Sequence, residues 1–273
     1  MIFTANMRGV SEGLMDYHSL VVSGISEGIY SIQLNRAAEK NSITSALIED
    51  LQHVLLWLDG LDSCKAIVLE GSAGYFCTGM NFQAFTEDGA EGEDHTAPAP
   101  EAFMRTMKLI GEISKVVIAK VDGQVMAGGI GLMAACDYVF ASPRSSFALP
   151  EAIWGLIPAM VTPYLIRRTG YWQAYKMTLT TLPLSAEEAL QHHLVDEVVS
   201  DLDGGILRLY KRISRVSPNT VKEIKSYFKK MWIINETMEN AAVQEIDKLT
   251  SSTEVREAIQ NYVQYKRFPW EKG

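Results

Sequence analysis

Apolar and polar positions change period repeatedly along the chain. Gly28 to Leu34 alternates, which predicts a half-buried strand. From Asn41 to Leu58, after a cap-like Asn-Ser-Ile-Thr, Ile43, Leu47, Ile48, Leu51, Val54, Leu55 and Leu58 recur at helical spacing. Ala66 to Leu69 is a short buried strand ending at Glu70-Gly71. Ser72 to Met80 reads as a glycine-rich loop. Thr86 to Pro100, polar and without period, reads as a mobile loop or lid. A helix over Phe103–Ile113, a strand over Val116–Val121, a glycine-led helix over Gly128–Cys136 and a strand over Tyr138–Ala141 follow. Ser185 and Glu188 form a capping-box pattern that opens a helix reaching His193. Val195–Val199 is a short strand. Gly205 to Gln264 is nearly all helical, with Pro218 starting a helix.

This alternation predicts an α/β fold. It divides into a loose tail over 1–16, an α/β core over 17–200 and a helical region over 201–273. The length of 273 residues admits one large domain or two small ones. A hydrophobic share of 47% with 21% charged residues supplies a core and argues against long disorder. The net charge of −8 argues against general nucleic-acid binding, which needs concentrated positive charge. Cys64, Cys77 and Cys136 are odd in number and lack C-x-x-C spacing. That pattern indicates neither a disulfide scaffold nor a zinc site, and a reducing cytoplasmic setting is expected. No apolar run reaches the ~18 residues of a membrane span. Met1 to Met15, with Arg8 and Glu12, does not read as a signal peptide, and Met7 and Met15 are alternative starts.

Two readings compete for the glycines at 128–131. Gly129-x-Gly131-x-x-Ala134 follows a strand and opens a helix, and Glu151 lies beyond it, as in a dinucleotide fingerprint. The acidic residue of that fingerprint ends a second strand. Here Pro150 precedes Glu151, which instead reads as the start of a helix or turn. The second reading is an oxyanion site made by free N–H groups at a glycine-led helix start. Phe76-Cys77-Thr78-Gly79-Met80 is another glycine turn that presents a backbone N–H. Adjacent His192 and His193 point apart on a helix and cannot form an i, i+4 metal pair. His95 falls in the exposed loop, Cys77 reads as a small packing residue, and no G-x-S-x-G elbow occurs. Ile224, Phe228, Met231 and Trp232 form a stripe for the core or a subunit interface.

The ordered set of segments resembles the crotonase (enoyl-CoA hydratase/isomerase) superfamily over about Tyr17 to Phe268. Phe76-Cys77-Thr78-Gly79-Met80-Asn81 matches F-x-x-G-x-[DN]. Gly128 through Asp137 matches G-G-x-x-L-x-x-x-C-D, and Pro150-Glu151 through Gly155 and Pro158 matches P-E-x-x-x-G-x-x-P. Leu34-Asn35-Arg36 with Asn41-Ser42, and Leu184 through Ala189 with Leu194-Val195-Asp196, are weaker matches. Within the superfamily, Ser146 to Glu151, Gly155 to Ala159, Pro163 to Arg168, Met177 to Thr180 and Phe268 to Glu271 look like the dehydratases of polyketide β-branching cassettes.

The resemblance implies a spiral of ββα units with a C-terminal helical region that trimerises, giving a homotrimer or hexamer through helices between Gly205 and Tyr265. It implies a lyase that dehydrates a 3-hydroxy-3-methylglutaryl thioester to 3-methylglutaconyl. The acyl group would ride on the phosphopantetheine of an acyl carrier protein, or on CoA, with no further cofactor and no metal. The N–H groups of Met80 and Gly128 would hold the enolate oxygen. Hydratases of the family carry two glutamates; the first position is Gly131 here, and the second is Glu151, the expected acid/base. An apolar setting of Ile153, Trp154 and Leu156 would raise its pKa. Glu151 also has a bland reading, as a carboxylate favouring a helix N-terminus. Asn81 stands where this branch often has aspartate, and Tyr75, Asn81 and Gln124 are the accessory candidates. A Δ3,Δ2-enoyl thioester isomerase or hydratase, and a non-catalytic binding protein, are the alternative functions. Because carrier proteins and this chain are both acidic, docking would need a basic patch, with Arg167, Arg168, Lys225 and Lys229 as candidates.

Overall fold

A computed structural model describes residues 17–81, 97–232 and 235–271. The expected tail and most of the expected lid, His95 included, lie outside them. The chain opens with a hairpin, β1 (Leu20–Ser26) and β2 (Ile29–Leu34), followed by α1 (Ser45–Gly60). Three units of similar design follow. β3 (Ala66–Glu70) and β4 (Tyr75–Cys77) precede α2 (Pro100–Glu112). β5 (Val116–Val121) and β6 (Gln124–Met126) precede α3 (Gly128–Ala135). β7 (Tyr138–Ala141) and β8 (Ser146–Ala148) precede α4 (Thr162–Thr180). Then come β9 (Leu184–Ser185), α5 (Ala186–Gln191), β10 (Glu197–Val198), α6 (Leu202–Ile213), α7 (Pro218–Lys230), α8 (Glu236–Thr250) and α9 (Thr253–Tyr265).

Each unit gives its first strand to one sheet and its second to another. The larger sheet has the order β1-β2-β3-β5-β7-β10 and the smaller β4-β6-β8-β9. Pairing is parallel throughout the β2-β3-β5-β7-β10 stretch and within β4-β6-β8. Successive units therefore advance as a spiral, with crossover helices covering the sheets. Val68 and Ile118 on the larger sheet pack with Leu202 and Ile206 of α6, so the helical region closes over one face. Among the described residues, no helix is long and apolar enough to cross a membrane.

The period-based elements are present with small changes at their ends. Ser185 caps α5 with the reciprocal Glu188 bonds of a capping box, and Ser217 caps α7 with Pro218 in its first turn. The Ser72–Met80 loop is a correction, since Tyr75–Cys77 is a strand paired to β6. At three residues it is too short to show a period.

α3 is apolar on all sides, and every residue from Gly129 to Ala135 is buried. Its glycines allow that depth. A Cβ on Gly129 would stand 2.2 Å from the Cys77 carbonyl oxygen, a backbone atom that cannot swing aside. Gly129→Ala should therefore lower stability by about 1–3 kcal/mol, the usual range for overpacking a core. Urea unfolding of the variant beside wild type checks this.

Candidate active site

The first turn of α3 meets the loop after β4. Gly79 has φ +81°, and a Cβ there would lie 2.6 Å from Ala127 Cβ and 3.0 Å from Gly128 N. Only glycine permits this left-handed turn at such close range. Ile43 N donates to Gly79 O at 2.7 Å, and Ile43 pairs with Met80 in a parallel bridge. On the other side, Ala127 is the N-cap of α3, with φ 48° and ψ −124° and no side-chain cap. That is a strained conformation for a residue with a Cβ. It is held by Ala127 N donating to Ala148 O at 3.0 Å. Among the described residues, no backbone carbonyl accepts from Met80 N or Gly128 N. The turn that carries Met80 and the first turn of α3 therefore meet at the positive end of a helix.

Met80, Gly128 and Glu151 line one cavity of about 860 Å³. Glu151 opens a short 3-10 helix, Glu151–Trp154, after β8, and Gly155 ends that turn in the left-handed conformation. Its Oε2 is out of solvent reach and has no hydrogen-bond partner among the described residues. Burial pushes the carboxyl from 4.5 up to about 7, against a smaller lowering by its own backbone N–H. Ile153, Trp154 and Leu156 share the cavity wall.

At Gly131, the position of the first family glutamate, a Cβ would meet Met107 Sδ at 2.8 Å and Val161 Cγ2 at 3.0 Å. The space for a second carboxylate is filled by apolar atoms. Cys77 is fully buried, and burial raises its thiol to about 12, so it packs rather than offering a thiolate.

Asn81 and Gln124 also line the cavity. Tyr75 is a correction, because it is not on the cavity wall. Its backbone N bonds Ser72 O, its carbonyl accepts from Asn41 Nδ2, and Lys40 Nζ lies 5.6 Å above its ring. The basic docking patch is a second correction. Arg167 Nη2 donates to Ala134 O at 2.6 Å. Arg168 donates to Cys136 O and Asp196 Oδ2, each at 2.9 Å. The two arginines satisfy carbonyls at the C-terminal end of α3, the negative pole of the helix whose positive pole faces the cavity. Lys225 Nζ lies 2.7 Å from Asp137 Oδ2 and donates to Lys115 O, while Lys229 pairs with Glu112. None of the four is a free surface cation.

The periodicity did not reveal that the last helices build the cavity. Ile246, Asp247 and Thr250 of α8, Tyr262 and Val263 of α9, and Phe268 line it. Trp154 packs between Tyr262 and Phe268, with centroids 4.7 and 5.6 Å away. Ser42, beside Asn41 ahead of α1, lines the wall as well. Local sequence carries no signal for such long-range contacts.

A glycine turn closed against a glycine-led helix start, one buried carboxyl of raised pKa and a spiral of ββα units together define a crotonase-type enzyme. The family model for enoyl-CoA hydratase/isomerase matches residues 24–273, and the chain belongs to that family. It is 30% identical over 259 residues to the bacillaene synthase dehydratase PksH of Bacillus subtilis, covering 94% of this chain and 98% of that protein. It is 28% identical over 258 residues to the mevalonyl-coenzyme A hydratase sidH of Aspergillus fumigatus, covering 92% and 94%. The crystal structure of a Bacillus subtilis protein described as a polyketide biosynthesis enoyl-CoA hydratase superposes with a TM-score of 0.86 at 28% identity, covering 93% of this chain and 100% of that one. The protein is accordingly a lyase of the hydratase/dehydratase type.

The raised pKa of Glu151 has a stability consequence. The folded protein holds this proton more tightly than the unfolded chain does. Stability therefore falls as pH rises from about 4.5 through about 7, and the loss is complete above that window. Glu151→Gln, neutral at every pH, should lack this slope. It should exceed wild type by about 3 kcal/mol near pH 8.5 and match it near pH 4. Urea unfolding at the two pH values measures both.

Proposed function

We propose that the protein dehydrates a 3-hydroxy-3-methylglutaryl thioester carried on an acyl carrier protein, giving 3-methylglutaconyl for polyketide β-branching. The observation that carries this reading is a single buried carboxyl, Glu151, sharing a cavity with the Met80 and Gly128 amides while the second carboxylate position is closed. The similarity to the Bacillus dehydratase supports the pathway class. A mevalonyl thioester, named for the Aspergillus relative, has the same 3-hydroxy-3-methyl centre.

The chemistry needs one acid/base and one charge acceptor. Ionised Glu151 takes the α-proton, and the C–H electron pair moves onto the thioester oxygen as an enolate. The two amides stabilise that charge, and losing one such donor typically costs ~2.7–4 kcal/mol. The pair then returns to form the Cα–Cβ double bond as the C3–O bond breaks. Protonated Glu151 gives its proton to the departing hydroxyl, which leaves as water, and the carboxylate is restored. A pKa of about 7 lets one group serve both halves near neutrality.

Exposed Lys40 and Lys266 stand at the cavity rim. Docking of an acidic carrier protein falls to these cations, each of which lies over an aromatic ring, Tyr75 and Tyr262. The protein acts as a homotrimer or hexamer. Ile224 and Phe228 of α7 and Met231 just after it are 49%, 68% and 64% exposed, an apolar surface that a second copy would cover.

Intact mass of 3-hydroxy-3-methylglutaryl carrier protein should fall by one water with wild type and stay unchanged with Glu151→Gln. Retained turnover in the variant would move the chemistry to another group, and an unchanged mass with wild type would reject the dehydratase reading. Light scattering at micromolar concentration should give a mass of three or six chains, and a monomer alone would refute the assembly.

A further inference from the structure

Ser42 is 5% exposed, and its Oγ has no hydrogen-bond partner among the described residues. Other buried hydroxyls nearby in the fold are satisfied: Ser31 donates to Glu70, Thr44 accepts from Leu47 N, and Thr106 donates to Ala102 O. A buried hydroxyl left unpaired is unfavourable, so its retention calls for a partner that arrives from outside. Ser42 also lines the cavity that holds Glu151.

Its place along that cavity indicates the partner. Exposed Lys40 stands at the mouth. Ile43, the next residue after Ser42, bridges Met80 and donates to Gly79 O beside the paired amides. Ser42 N is itself fixed by donating to Glu39 O at 3.0 Å. The segment thus runs from the rim to the amide pair, with Ser42 one residue short of the inner end. An acyl thioester threaded along it has its arm on the mouth side and its reacting carbons beyond the amides. The first polar group met behind the sulfur is the arm's amide, separated from it by an ethylene spacer. That spacing is comparable to the ~3.8 Å step between neighbouring residues.

We infer that the Ser42 hydroxyl hydrogen-bonds the thioester-proximal amide of a pantetheine arm, making Ser42 a substrate-positioning residue. This rests on the thioester reading above and holds for a carrier-bound or a CoA-bound arm, which share the amide. Hydrogen bonding to the acyl group's own hydroxyl is the competing role.

The test compares 3-hydroxy-3-methylglutaryl thioesters of N-acetylcysteamine, which has the amide, and of butanethiol, which lacks it. Ser42→Ala should raise KM for the first about three- to tenfold with kcat unchanged, the scale of one neutral hydrogen bond. It should leave the second unaltered. Ser42→Cys, close in volume and a weak donor, should behave like Ser42→Ala. Calorimetry with pantetheine alone, which needs no turnover, should show the same weakening in both variants. Equal losses on both thioesters, a fall in kcat, or unchanged pantetheine affinity would each overturn the inference. Wild type that binds pantetheine with Ser42-dependent affinity yet turns over neither thioester would reject the proposed reaction and leave the Ser42 contact standing.

Discussion

The structure depends on how closely two stretches of backbone can approach. The Gly79 turn and the first turn of α3 come within contact beside the cavity that Met80 and Gly128 line. Side chains would prevent this at several points. Gly79 lies against Ala127, and Gly129 lies against the Cys77 carbonyl. Ala127 takes a positive φ to make the corner, and the bond from its N–H to Ala148 ties the strained residue to β8. The strain at this corner persists because close packing on both sides over-determines it.

α3 couples this corner to the rest of the molecule. Its N-terminal amides face the cavity, while its C-terminal carbonyls are taken up by Arg167 and Arg168. Each arginine donates to a carbonyl that the helix itself cannot satisfy. Asp196 and Asp137 extend the arrangement by accepting from β7 and β5 backbone amides while pairing with Arg168 and Lys225. Buried ion pairs of this kind do not by themselves guarantee net stability. Their evident effect is to anchor the C-terminal end of a short apolar helix that has no amphipathic face to orient it.

Glu151 sits opposite in kind. The amides are supplied by backbone and are insensitive to pH, whereas the carboxyl is a lone titrating group kept from water. Its setting is completed by the distant end of the chain, where Tyr262 and Phe268 pack on Trp154 beside it. The cavity is therefore a joint product of the spiral and of the last two helices. At Gly131, Met107 and Val161 crowd the place where a side chain would stand, and Glu151 is the carboxyl buried in the cavity wall.

Local sequence determined the strands and helices and the two glycine turns, because each is tied to a short-range requirement, whereas Met80, Gly128 and Glu151 were singled out by the resemblance of the ordered motifs to a family. Glycine is needed where backbones touch or φ is positive, and the periods of apolar residues follow from helix and strand geometry. Only tertiary structure decided which charges are free. Arg167, Arg168, Lys225 and Lys229 read as a basic patch along the chain, yet their partners lie far away in sequence, at Ala134, Asp196, Asp137 and Glu112. The same holds for Tyr75, which is not among the residues of the cavity wall, and for Ser42, whose unpaired hydroxyl becomes visible once its surroundings are closed. Periodicity reports which face of an element is apolar, but contact and desolvation depend on residues brought together by folding.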